Sequence, residues 1–165
     1  MDLAQLLRKL GADEQAVQVL KDGTAQEDNS VEGRKIQAQC FYELCKIHAE
    51  KGTREEALQL LAKAKQITDH LLKKASQTEE MDAVKVLNTD IHVMIGDLAA
   101  QNGDLDNATK FYSKATTFVP NSELANQARL KLANAFRLKG EHAHAQGMCF
   151  QQFYTDKDNH FVNRV

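Results

Sequence analysis

The fold is decided by residues 92–120, which read HVMIGDLAAQNGDLDNATKFYSKATTFVP. Gly96 and Ala99 are three residues apart and therefore share one face of a first predicted helix. Gly103 then ends that helix, because glycine readily adopts the left-handed conformation of a helix C-terminus. Asp104 follows it and can cap a second helix. The stretch therefore begins as a helix followed by a tight turn.

The residues after the turn place a second helix against the first. Ala108, Tyr112 and Ala115 recur at spacings of four and three residues, so they lie on one face. Pro120 ends this helix because proline lacks an amide proton and clashes with the preceding turn. Helices with axes about 8–10 Å apart need small side chains where they come closest, as Gly96 supplies. The stretch predicts an antiparallel helical hairpin, and it resembles a tetratricopeptide repeat in its order of small, aromatic, small and proline residues.

The same pattern occurs four times along the chain. A glycine ends each apolar helix and an alanine follows five residues later, in the pairs Gly11–Ala16, Gly52–Ala57, Gly103–Ala108 and Gly140–Ala145. Eight residues before each glycine stands an aliphatic residue followed by a small one, in the pairs Leu3–Ala4, Leu44–Cys45, Ile95–Gly96 and Leu132–Ala133. We therefore predict an all-α, right-handed superhelical solenoid of about four tetratricopeptide-type hairpins, formed by residues 1–28, 34–75, 79–120 and 122–155.

The repeat spacing is uneven, since 41, 51 and 37 residues separate the successive glycines, whereas about 34 is usual for this repeat. The polar residues 21–33 predict a long loop. The apolar stripes of residues 55–75 and 81–101 predict one pair of lengthened helices, each ~30 Å long. Ser76 or Thr78 would cap the second of these. A truncated helix over residues 160–165 and an uncapped start indicate a single segment of a longer solenoid.

Composition excludes several classes of function. The 165 residues include 21 basic and 23 acidic ones, for a net charge of −2, which gives no electrostatic footprint for nucleic acid or for an anionic membrane. No apolar run reaches the ~20 residues of a membrane span, and the first residues of the sequence lack the apolar region expected of a signal peptide. Three cysteines, an odd number, argue against a disulfide framework and favour a cytoplasmic location.

No motif for chemistry is present, so we predict no enzyme activity, no cofactor and no metal site. Cys40 and Cys45 lack CxxC spacing and are expected to be buried packing residues. His142 and His144 are two residues apart and point about 200° apart on a helix, which prevents a shared metal ion. His92 is expected to be a hydrogen-bonded packing histidine. Glycine-rich phosphate loops are absent from the sequence.

Residues 3–26 and 103–161 together resemble the tetratricopeptide repeat protein 21 family, also called intraflagellar transport protein 139. Members of that family are subunits of the intraflagellar transport A complex. His92 departs from the general repeat pattern, which favours tryptophan there. The resemblance implies a non-enzymatic scaffold that holds other subunits or cargo in ciliary retrograde transport, and a location in the cilium or flagellum. The alternative is a stand-alone adaptor that binds a peptide in its concave groove.

The first helix of each hairpin would line that groove. The positions between its packing residues are candidate partner contacts, and they are Arg8, Tyr42, Lys46, Asp90, Asp97, Asn134 and Arg137. The interleaved aspartates argue against a clamp for a terminal carboxylate. Solvated residues, or contacts with neighbouring repeats of a longer chain, are the alternative interpretation. The expected partners are other protein subunits or cargo peptides, with neither nucleic acid nor membrane insertion among them.

Overall fold

The computed structural model describes residues 3–74 and 79–147. All regular structure in these ranges is helical, which confirms the predicted all-α class. The helices are α1 (Leu3–Lys9), α2 (Asp13–Ala25), α3 (Val31–Glu50), α4 (Arg54–Lys74), α5 (Glu79–Gln101), α6 (Leu105–Phe118) and α7 (Glu123–Leu138). A further helix begins at residue 142 and is described to residue 147.

The four predicted turn glycines all adopt the left-handed conformation. Their φ angles are 77°, 77°, 76° and 80° for Gly11, Gly52, Gly103 and Gly140, and no other described residue has a positive φ. The residue after each glycine donates its backbone N–H to the carbonyl five residues earlier, at 2.9–3.0 Å. This bond occupies a carbonyl that the end of the helix leaves without a partner. The same turn therefore closes each hairpin.

The described chain forms two compact units, which divide within α5 between Leu87 and Asn88. In the first unit α1 packs on α2, α2 on α3 and α3 on α4. One core cluster contains Ala4, Ala16, Leu20, Cys40, Leu44 and Ile47. Ala16 and Ala57, the first two predicted packing alanines, are completely buried. Small side chains at these positions let the helix axes approach.

In the second unit, α6 packs against α7 and against the part of α5 that follows Leu87. Its core contains Ala108, Tyr112, Leu132 and Ala135. Ala108 and Ala115 are completely buried, as the sequence predicts. His92 is also buried, and its Nδ1 lies 2.7 Å from the carbonyl oxygen of Asn88. The predicted packing histidine is therefore confirmed.

The loop predicted over residues 21–33 is wrong, because the loop in the structure is much shorter. Helix α2 continues to Ala25 and α3 begins at Val31, so the loop spans only residues 26–30 and the second hairpin starts before residue 34. Ser30 caps α3 by accepting a hydrogen bond from the backbone N–H of Gly33 at 2.9 Å. Asp28 in turn accepts one from the N–H of Ser30 at 2.8 Å. The polar residues here form a compact N-cap.

Other details of the predicted packing differ. Leu3, expected on a packing face, is 55% exposed, and Leu58, which belongs to the predicted apolar stripe of residues 55–75, is 41% exposed. Ala145 is half-buried. The two helices predicted to be long are α4 and α5, with 21 and 23 residues, but α3 is nearly as long, with 20. Three predictions lie outside the described residues: the cap at Ser76 or Thr78, the end of the fourth hairpin and the helix over residues 160–165.

Candidate interaction surfaces

Three helices of the second unit meet at a polar cluster formed by Asp97, Tyr112 and Lys131. The hydroxyl of Tyr112 in α6 donates a hydrogen bond to Oδ1 of Asp97 in α5 at 2.7 Å. The ammonium group of Lys131 in α7 lies 2.6 Å and 2.5 Å from the two carboxylate oxygens of Asp97. One carboxylate therefore joins the first helices of two consecutive hairpins to the helix between them.

The electrostatics of this cluster keep Tyr112 neutral. Burial raises the pKa of the Tyr112 phenol well above its usual value, and the hydrogen bond to Asp97 raises it further. The phenol is thus a fixed hydrogen-bond donor, while Lys131 supplies the charge that balances Asp97. Because all three groups satisfy one another, the cluster is suited to holding helices together and offers no activated nucleophile.

A cavity of about 240 Å³ adjoins this cluster. Its lining consists of Asp97, Ala100, Leu105, Tyr112, Lys131, Asn134, Ala135 and Leu138. Two of the predicted contact residues, Asp97 and Asn134, are therefore brought together. Asn134 also accepts a hydrogen bond of 2.9 Å from Nη2 of Arg137. Sequence reasoning missed Lys131, although its spacing of three residues from Asn134 places both on one face of a helix.

The predicted contact residues of the first unit also interact within the chain. Arg8 in α1 forms an ion pair with Glu50 at the end of α3, which joins the first helices of two consecutive hairpins. Lys46 pairs with the buried carboxylate of Glu43 at 2.8 Å, and its ammonium group lies 5.3 Å from the ring centre of Tyr42. None of these contacts joins Arg8 to Tyr42 or Lys46.

Of the seven predicted residues, Asp90 is a half-buried position in α5. Asn134 and Arg137 are exposed on α7. Arg8, Lys46 and Asp97 have ionic partners within their own units. Partner binding at these seven positions stays a prediction.

The two described cysteines lie in the protein interior. Cys40 and Cys45 are buried free thiols, as predicted. Burial raises the pKa of Cys45 to about 11, so its thiolate is scarce at neutral pH. Within residues 3–74 and 79–147, no group of three or more potential ligands could hold a metal ion. None of the described helices is both long enough and apolar enough to cross a membrane.

The folded units define a class of protein, the all-α helical repeats built from antiparallel hairpins. Comparison with known sequences then identifies the family. The sequence profile described as the tetratricopeptide repeat protein 21 fourth ARM domain matches residues 1–116. This chain belongs to that family. No curated protein matches the sequence.

Among solved structures, a crystal structure of MamA is similar to this chain. The two share 17% sequence identity with a TM-score of 0.43, and the match covers 96% of this chain and 97% of that one. The family match and the repeated hairpins support a helical-repeat scaffold for protein interactions. Repeat families of this type are generally non-catalytic.

Proposed function

We propose that this chain is a scaffold segment of an intraflagellar transport A subunit and acts in retrograde transport along the cilium or flagellum. Its partners are other subunits of the complex or cargo peptides, and neighbouring repeats of the same protein pack on it. It uses no cofactor, and its interactions are with protein, not with nucleic acid or a membrane.

The observation that carries this proposal is the match to the tetratricopeptide repeat protein 21 family over residues 1–116. The structure supports it in a second way. In both units an ion pair joins the first helices of consecutive hairpins, Arg8 with Glu50 and Lys131 with Asp97. These ion pairs are partly exposed and add modestly to the packing between consecutive hairpins.

Affinity purification from ciliated cells tests the proposal. The epitope-tagged full-length protein is expressed, and the proteins that co-purify with it are quantified by mass spectrometry. We expect intraflagellar transport A subunits to be enriched over a tag-only control and the tagged protein to lie in cilia. Enrichment of a single unrelated partner, without the complex, would instead support the stand-alone adaptor.

Charge variants then locate the binding face. Lys46→Gln with Arg137→Gln removes two charges from predicted contact positions. Lys73→Gln with Lys110→Gln removes two charges from exposed positions outside that set. We expect the first pair to reduce subunit recovery and the second to leave it unchanged. Equal recovery for both pairs would contradict binding through the predicted positions.

A further inference from the structure

A groove runs between the two helices of the second hairpin, and none of the seven predicted contact residues lines it. It encloses about 430 Å³ between α3 and α4. Its lining consists of Arg34, Gln37, Phe41, Lys63, Gln66, Ile67 and His70. Arg34 and His70 are each 18 residues from the turn at Gly52, and Phe41 and Lys63 are each 11 residues from it. The groove therefore follows facing positions of an antiparallel pair over about 10 Å.

The charge of this groove is one-sided. Arg34 and Lys63 are cationic, and no carboxylate is found among the described residues of its lining. Neither Arg34 nor Lys63 forms an ion pair with a described carboxylate, whereas the adjacent Lys35 and Lys65 pair with Glu32 and Asp69. The groove's lining is therefore basic although the whole chain has a net charge of −2.

Of the groove's two cations, Arg34 is held by hydrogen bonds and Lys63 contacts an aromatic ring. The side-chain amide of Gln37 donates to the carbonyl oxygen of Thr24, at the end of α2, at 2.8 Å. The guanidinium of Arg34 donates to the side-chain oxygen of Gln37, also at 2.8 Å. The ammonium group of Lys63 lies 5.6 Å from the ring centre of Phe41. Charges fixed in this way lose less conformational entropy when they bind a ligand.

We propose that the groove between α3 and α4 binds an acidic segment of a partner protein. One carboxylate of the segment contacts Arg34, whose planar fork suits carboxylate oxygens. A second contacts Lys63, and an apolar side chain between them packs on Phe41 and Ile67. This inference rests on the proposed role of the chain as a protein-interaction scaffold. It adds that one partner binds through acidic side chains.

Fluorescence anisotropy of the purified 165-residue chain tests this binding. The probe is a fluorescein-labelled hexaglutamate peptide, with hexaglutamine as the uncharged control, at an ionic strength of roughly 0.1 M. The groove variant is Arg34→Gln with Lys63→Gln. The matched variant is Lys110→Gln with Lys114→Gln, which removes the same charge from exposed positions of α6. Circular dichroism checks that both variants are folded.

We expect hexaglutamate to bind and hexaglutamine not to bind. The groove variant should weaken hexaglutamate binding by about tenfold, and the matched variant by less than about twofold. Phe41→Leu, which keeps an apolar side chain but removes the ring beside Lys63, should weaken binding less than the groove variant does.

Two results would overturn the inference: the absence of hexaglutamate binding, and an equal loss of affinity in the groove and matched variants. Neither decides the proposed function, because recovery of intraflagellar transport A subunits from cells is measured separately. If those subunits are recovered equally with the groove variant and the unchanged protein, the scaffold role stands without this groove.

Discussion

The ring of Tyr112 lies directly against the backbone of Gly96. A Cβ atom at Gly96 would be 2.5 Å from Cε1 of Tyr112 and 2.7 Å from its Cδ1. Glycine in the interior of a helix is less stable than alanine by roughly 0.5–1 kcal/mol, so propensity does not favour it here. The contact explains its presence: α5 and α6 approach closely enough to leave no room for a methyl group.

Gly96→Ala should therefore destabilise the chain despite its better helix propensity. We expect the free energy of unfolding to fall by about 1–3 kcal/mol because the buried ring of Tyr112 must move. Urea denaturation measures it. In a Tyr112→Leu background the same substitution should cost less, since the two residues are in contact and their effects are not additive. An unchanged cost in that background would contradict the steric explanation.

Substitution of a turn glycine should destabilise the chain for a different reason. A Cβ at Gly103 would meet nothing within 4 Å, but its φ is +76°. Gly103→Ala should lower the free energy of unfolding by roughly 1–2 kcal/mol through backbone strain alone. Gly103→Asn should lower it less, because asparagine tolerates the left-handed region better. Thermal denaturation compares the two variants, and equal midpoints would argue against backbone strain as the cause.

Substitution of Ala108 in α6 tests the close packing of α5 and α6 from the side of α6. It is completely buried, so Ala108→Leu should overpack the hairpin and cost about 1–3 kcal/mol. Lys110→Leu introduces the same side chain at an exposed position of α6 and should change stability by less than about 0.5 kcal/mol. Denaturant midpoints of the two variants check this. The explanation fails if the midpoints coincide.

Alkaline pH should weaken the second unit through Tyr112. The folded-state pKa of its phenol is raised above the unfolded value, which is about 10. Below about pH 10 the phenol is neutral in both the folded and the unfolded chain, and its full contribution to the free energy of unfolding is present. As pH rises further, the unfolded chain loses the proton first, so stability falls. Urea denaturation between about pH 8 and pH 11 should show a steeper decline for the unchanged protein than for Tyr112→Phe. An equal fall in stability for the two proteins would contradict the raised pKa of Tyr112 as the cause.

Local features of this fold could be predicted from the sequence. A left-handed glycine turn depends on a few neighbouring residues, which is why the sequence alone locates Gly11, Gly52, Gly103 and Gly140, although Ala12 after Gly11 caps α2 without a side-chain hydrogen bond. The buried alanines follow from the same local spacing. The short link before α3 was also encoded locally, at Asp28 and Ser30, but a polar composition suggests a loop as readily as a cap.

The features that could not be predicted depend on contacts between helices. Lys131 and Asp97 are 34 residues apart, and nothing in either neighbourhood indicates the other. The groove between α3 and α4 likewise requires the register of the hairpin, although counting outward from Gly52 would have paired Arg34 with His70. Leu58 looked like a packing residue because apolar side chains also occupy helix edges, and only the packed structure separates them.

The open space beside the turn glycines has an evolutionary consequence. Each turn between helices is closed by backbone hydrogen bonds at a glycine, which has no side chain. The geometry of the turn therefore does not depend on the side chains of the flanking helices. Outward positions can therefore change identity, and a helix can gain a turn, as α4 and α5 illustrate, while the reversals keep their form. Such a chain can acquire new recognition chemistry on its faces long before its architecture is disturbed.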